Sequence, residues 1–187
     1  AYDYLNSDEI EKSRNIAEQR WDKFIGLCRS YSYGKALDCY LEDFADFFVY
    51  LKISDDRYEF LSSILLPLMR ECRGEEFARK RYIEDLTFEK TNEEFIIAIN
   101  EGREGYVPEI YPDVVRDLGQ ALAADGRLDE ADEDAMYLME HYAHEDILML
   151  KANIEIARKN SNVAIAVLGS VIDVNPFRTE AYSLRGK

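Results

Sequence analysis

Apolar positions along the chain recur every three or four residues rather than every second one, the period of helices packed on one face. Ile10, Ile16, Ala17, Trp21, Phe24, Ile25 and Cys28 mark the stripe of a first helix, opened by the cap-like Ser7-Asp8-Glu9. The tyrosine-rich turn Tyr31-Ser32-Tyr33-Gly34 breaks it. A second stripe carries Ala36, Leu37, Tyr40, Leu41, Phe44, Phe47, Phe48 and Leu51. A third, capped by Ser54-Asp55-Asp56, carries Phe60, Leu61, Ile64, Leu65, Leu68 and Met69. Pro67 is expected to kink it, because an interior proline removes a helical N–H and costs about 3 kcal/mol. Gly74 marks the next turn, and Phe77, Ala78, Tyr82 and Leu86 continue a fourth helix. Thr91-Asn92-Glu93-Glu94 then has the form of a cap for a short helix through Phe95, Ile96 and Ile99.

Glu101 to Pro112, "EGREGYVPEIYP", holds two glycines and two prolines and is the best internal boundary, dividing 1–111 from 112–187. Beyond it the pattern predicts helices over roughly 112–125, 128–142, 145–159 and 161–174, with a last one opening at Thr179. Strand-like alternation is absent. Phe47-Phe48-Val49-Tyr50 has β-propensity but lies inside a helical stripe, and tertiary context settles such conflicts. The class is all-α.

Small residues recur at fixed offsets. Val115-x2-Leu118-Gly119-x2-Leu122 is followed by Ala131-x3-Ala135, then by Ala164-x3-Leu168 and Pro176, and Tyr182-x2-Arg185-Gly186 opens another unit. Ala131 and Ala164 are 33 residues apart, and Gly119 and Gly186 are 67 apart. This resembles the tetratricopeptide repeat, a helical hairpin with a period of about 34 residues. Looser echoes lie upstream, in Trp21-x2-Phe24-Ile25-x2-Cys28 leading to Ala36-x3-Tyr40, and in Leu65-Leu66-x2-Met69 leading to Ala78-x3-Tyr82. The chain departs from the family in its 91–111 insertion and lacks the proline after the first two units. The resemblance implies antiparallel helix hairpins stacked as a right-handed superhelix, each burying its apolar face on the next. Gly119, Ala131 and Ala164 are then expected where the two helices of a hairpin approach closely, since a larger side chain there would cost about 1–3 kcal/mol. Arg185-Gly186-Lys187 fall partway through a first helix, as expected of a fragment of a longer protein or, less favoured, of a helix that is itself the polar cap.

Composition narrows the functional classes. An apolar fraction of 47% argues against disorder. The net charge of −15 is spread evenly, with 21 acids and 14 bases over 1–94 and 17 and 9 over 95–187. No basic footprint is available for nucleic acid, and an anionic membrane surface would repel the chain. No signal peptide, Asn-x-Ser/Thr site or apolar run of about 18 residues is visible, so a cytoplasmic location is the default expectation, although a start at Ala1 rather than Met leaves room for a removed leader or domain.

Cys28, Cys39 and Cys72 sit among apolar neighbours without paired spacing, as inert thiols do. His141 and His144 are the only histidines and could share a helical face as zinc ligands. A helix end followed by an acidic cap explains them equally and is favoured, so no metal or cofactor is expected. Neither a phosphate loop nor a nucleophile–base pair is present, and no enzyme is expected. Asp125 to Asp146 holds nine acids and one base, while Arg70 to Arg81 holds five bases and three acids. Pairing of these two patches, within or between chains, is the corresponding expectation.

A binding function remains. Carrying over the family's groove positions places Asp113, Arg116 and Gln120 on the concave surface, then Met149 and Asn153 after a one-residue slip, then Glu180 and Ser183. Lysines that clamp a partner's terminal carboxylate in some family members are missing here. A basic or amphipathic peptide of a partner protein suits the acidic chain better. Arg116→Glu is expected to weaken such binding without loss of helicity. A structural or self-assembling regulatory appendage of a larger protein is the alternative.

Overall fold

A computed structural model describes residues 7–44, 57–100, 111–142 and 144–186. Among them every regular element is helical and no strand occurs. The elements are α1 (Ser7–Arg29), α2 (Tyr33–Cys39), α3 (Arg57–Phe60), α4 (Leu66–Arg73), α5 (Glu75–Asn100), α6 (Tyr111–Ala124), α7 (Leu128–His141), α8 (Glu145–Ala157), α9 (Ser161–Val174) and α10 (Thr179–Arg185). Phe47, Phe48, the Ser54–Asp56 cap and most of the 101–112 loop lie outside the described residues. No described helix is long and apolar enough to cross a membrane.

The chain divides into two compact units, Ala1–Ala78 and Arg79–Lys187. The division falls inside α5 rather than at the 101–112 loop. Charged contacts tie the remainder of α5 to the second unit: Arg79 bonds Asp125 at 3.0 Å and Lys90 bonds Asp134 at 2.6 Å. Helix α5 also runs unbroken through Thr91–Glu94. There the Thr91 hydroxyl bonds back to the Thr87 carbonyl at 2.9 Å, serving a helix interior instead of a cap.

In the first unit, α1 packs on α2 and α2 on α4. Phe60 is central to the core, with Trp21 and Phe24 edge-on to it at ring-centre distances of 5.2 and 5.6 Å. A π-helical turn, Leu61–Leu65, stands immediately before α4, just upstream of Pro67, where a kink is expected. The Leu66 N–H reaches back five residues to the Leu61 carbonyl, and Pro67, which has no N–H to give, follows it as the second residue of α4.

In the second unit α6 to α10 pack each on the next, and α6 also meets α8. Helices α6, α8 and α10 begin at Tyr111, Glu145 and Thr179, 34 residues apart, while α7 and α9 begin 33 apart, at Leu128 and Ser161. This regularity starts at Tyr111. The N-terminal elements range from 4 to 26 residues and do not share it.

The hairpin turns explain the small residues. In α1–α2, α6–α7 and α8–α9 one residue takes a positive φ: Tyr31 at 56°, Gly126 at 83° and Lys159 at 61°. The next N–H then bonds a carbonyl five residues back, Ser32 to Leu27 at 2.9 Å, Arg127 to Leu122 at 3.0 Å and Asn160 to Glu155 at 2.8 Å. This closure satisfies carbonyls left open at the helix end. Four residues past each such donor stands a buried alanine, Ala36, Ala131 or Ala164.

Gly119 differs in its nearest neighbour. A Cβ there would lie 2.9 Å from Leu150 Cδ2 in α8, with Asp134 Cβ and the Ala131 carbonyl of α7 at 3.5 and 3.7 Å. It therefore occupies the meeting of three helices, not the seam of one hairpin. The Leu150 tip can yield to a methyl group but not to a larger side chain.

The turn geometry sets a pair of opposed expectations, because a non-glycine residue in the left-handed region costs about 1–2 kcal/mol. Lys159→Gly should slow amide exchange in α8 and α9 by the equivalent of about 1 kcal/mol, and Gly126→Ala should accelerate it in α6 and α7 by a similar amount.

Candidate functional site

Three helices related by the 34-residue spacing line one groove of about 470 Å³. Helix α6 supplies Gln120, Ala123 and Ala124; α8 supplies Asp146, Met149, Leu150, Asn153 and Ala157. Arg178, just before α10, and Glu180 in its first turn complete the lining. Ala123 and Ala157 are 34 residues apart, so equivalent positions on two helices are both kept small. That is a second use for the alanine-rich end of α6. Met149 and Leu150 are buried and form the apolar floor, while the amides of Gln120 and Asn153 are exposed.

The turn before α10 aims Arg178 into the groove. The Asn175 side chain accepts the Phe177 N–H at 3.0 Å, and the Arg178 N–H donates to the Asn175 carbonyl at 3.1 Å. Arg178 Nη1 then lies 3.0 Å from Glu145 Oε1 and 2.8 Å from Asp146 Oδ1, and Nη2 is 3.6 Å from Glu180 Oε2. Burial alone would lower the pKa of this guanidinium, but its hydrogen bonds to Asp146 and Glu145 and their charges raise it.

Four of the seven residues marked by the repeat register thus meet: Gln120, Met149, Asn153 and Glu180. Asp113 and Arg116 do not join them. Arg116 bonds Asp113 at 2.7 Å and Asp117 at 3.1 Å, and Asp117 accepts the Tyr82 hydroxyl at 3.2 Å. Arg116→Glu would therefore break a local ion-pair cluster whether or not a ligand binds. Ser183 is exposed on α10 and outside the lining. Asp146, 33 residues after Asp113, follows the one-residue slip that also places Met149 and Asn153, and Ala157 stands 34 residues after Ala123. Arg178 had no periodic signal, because a turn places it.

Both histidines have local partners. His141 Nδ1 donates to the Tyr137 carbonyl at 2.8 Å, and its ring stacks on Tyr137 at 4.4 Å. His144 caps α8 through Nδ1, which accepts the Asp146 N–H at 3.2 Å. No group of three metal-ligating side chains occurs among the described residues. Cys28, Cys39 and Cys72 are free, and burial pushes each thiol up from its ordinary pKa.

The acidic run draws its counter-charge mainly from elsewhere than 70–81. Arg79 reaches Asp125, but Asp134 is met by Lys90, Asp132 by Lys151 and Arg158, and Asp146 by Arg178. Lys151 bridges Asp132 of α7 and the buried Glu155 of its own helix, at 2.5 and 2.8 Å. Burial pushes Asp132 up, yet hydrogen bonds from Lys151 and Arg158 hold its carboxyl below the usual range. The hydrogen bond from Lys151 likewise lowers Glu155, against its burial.

No family model matches the chain, and no curated protein or solved structure matches it either.

The depressed carboxyl groups set the sign of a pH effect. Both bind fewer protons folded than unfolded, so their contribution is complete above about pH 5 and is lost as the pH falls through about 4 and below. Amide exchange in α7 and α8, corrected for its intrinsic pH dependence, should show opening made easier by acid. Lys151→Met should weaken the same helices by about 2–3 kcal/mol at pH 7 and flatten that dependence.

Proposed function

We propose that the chain is a protein–protein interaction module, not an enzyme, and that its α6–α8–α10 groove binds a segment of a partner protein. The observation that carries this reading is the groove itself. It combines an apolar floor, exposed amides and one charged end, the mixture that gives a binding cleft both affinity and orientation. The 34-residue spacing of its helices and the shared hairpin turns fit the tetratricopeptide-like arrangement, a right-handed stack whose first helices face the ligand. The acidic character of the chain, at −15 overall, disfavours nucleic acid and anionic membrane as partners. Cytoplasmic residence accords with these features.

A second reading has one observation behind it. Val174, Phe177 and Tyr182 are exposed apolar residues around the turn before α10, with Phe177 89% accessible. A self-assembling or regulatory appendage would use such a patch. Sedimentation over a range of concentrations separates the two, since the monomer mass at every concentration excludes self-assembly.

Ala123→Trp fills the groove and Asn153→Arg replaces an exposed amide. Each is expected to reduce capture of a partner from a lysate of the source organism at least about tenfold, by the roughly 1.4 kcal/mol that such a factor represents. Far-ultraviolet circular dichroism should stay unchanged. Equal capture by both variants and the parent chain would exclude the groove.

A further inference from the structure

We infer that the groove takes an extended segment in which a lysine or arginine stands beside an apolar residue, the basic side chain lodging at the carboxylates around Arg178. This deepens the interaction-module reading and rests on it. Charge complementarity is the first ground. Three carboxylates, Glu145, Asp146 and Glu180, face one guanidinium, and two of them, Asp146 and Glu180, line the groove, with His144 Nδ1 also 3.3 Å from Asp146 Oδ2. The N-terminus of α8 offsets only about half a charge. Two of the three crowd onto a single Arg178 nitrogen, while Glu180 stands 3.6 Å from the other with its side chain 57% accessible. A carboxylate has about four acceptor sites, so a second cation finds open oxygens here, whereas an acidic ligand meets repulsion.

The second ground is the rest of the groove. The α8 lining from Asp146 to Ala157 is about 16 Å long at about 1.5 Å per residue. An extended chain crosses that length in about five residues. The exposed amides of Gln120 and Asn153 offer donors and acceptors to main-chain groups that an extended segment leaves open and a helix satisfies internally. Next to the charged end the floor turns apolar at Met149 and Leu150, and Ala123 and Ala157 leave room above it for the ligand's own side chain. A basic residue at one end and an apolar one beside it match these surfaces in order.

The test is selection from a positional-scanning library of acetylated, amidated hexapeptides on the purified chain, followed by anisotropy titration of the best peptide. Lysine or arginine should be selected within two positions of an apolar residue. Glu180→Lys, an exposed change, should weaken that peptide about tenfold, and Asn153→Arg should weaken it as well. Selection of neutral or acidic peptides, or indifference to Glu180→Lys, overturns the inference. If those peptides are still lost on Asn153→Arg, the groove reading survives alone. Absence of any selected peptide overturns both.

Discussion

The close approach of paired helices governs the second unit, and it depends on an alanine placed four residues past the turn's closing donor. The left-handed residue at Gly126 or Lys159 lets the following N–H reach five residues back, which sets the direction of the second helix. Ala131 and Ala164 then lie buried at the contact, where a longer side chain would push the helices apart. With both hairpins closed alike, α6 and α8 come to lie next to each other, and Gly119 admits the Leu150 side chain between them. The groove is the outer consequence of that packing, because it runs over the same two helices and the start of α10.

Electrostatics act on a different scale. An excess of acid by itself suggests a solvated, repulsive face, but most of the acidic run is tied to particular bases on α5, α8 and the turn before α10. These ion pairs join helices distant in sequence, and several are partly buried, where removing one partner costs more than the pair contributes. The end of the groove around Arg178 is where carboxylates outnumber their cation, so the net charge of the chain becomes local and directional there.

The same division between packing and side-chain reach decides how much was legible in the residues alone. Helices and the 33- to 34-residue offsets of alanines were visible, because burial on one helical face imposes a period. Gln120, Met149, Asn153 and Glu180 were reached only through the resemblance to the tetratricopeptide repeat and the groove positions it implies. Asp113 and Arg116 share that register, but their pairing with each other depends on side-chain reach, which a period does not encode. Arg178 was hidden because an asparagine-anchored turn positions it. The continuity of α5 was hidden because a threonine hydroxyl can cap a helix or bond back within one. At Pro67 the kink was expected from proline chemistry, whereas the π-helical turn that stands just upstream was not.

The neighbour-on-neighbour packing of α6 to α10 also has a kinetic side. Contacts between elements close in sequence require little loop closure, and chains dominated by them fold in microseconds to milliseconds. The seven residues of α10 rest on their packing against α9, because so short a helix is marginal by itself. A ligand that engages Glu180 is therefore coupled to the packing of α10 on α9, and any ordering of that helix on binding is a cost set against the contacts it makes.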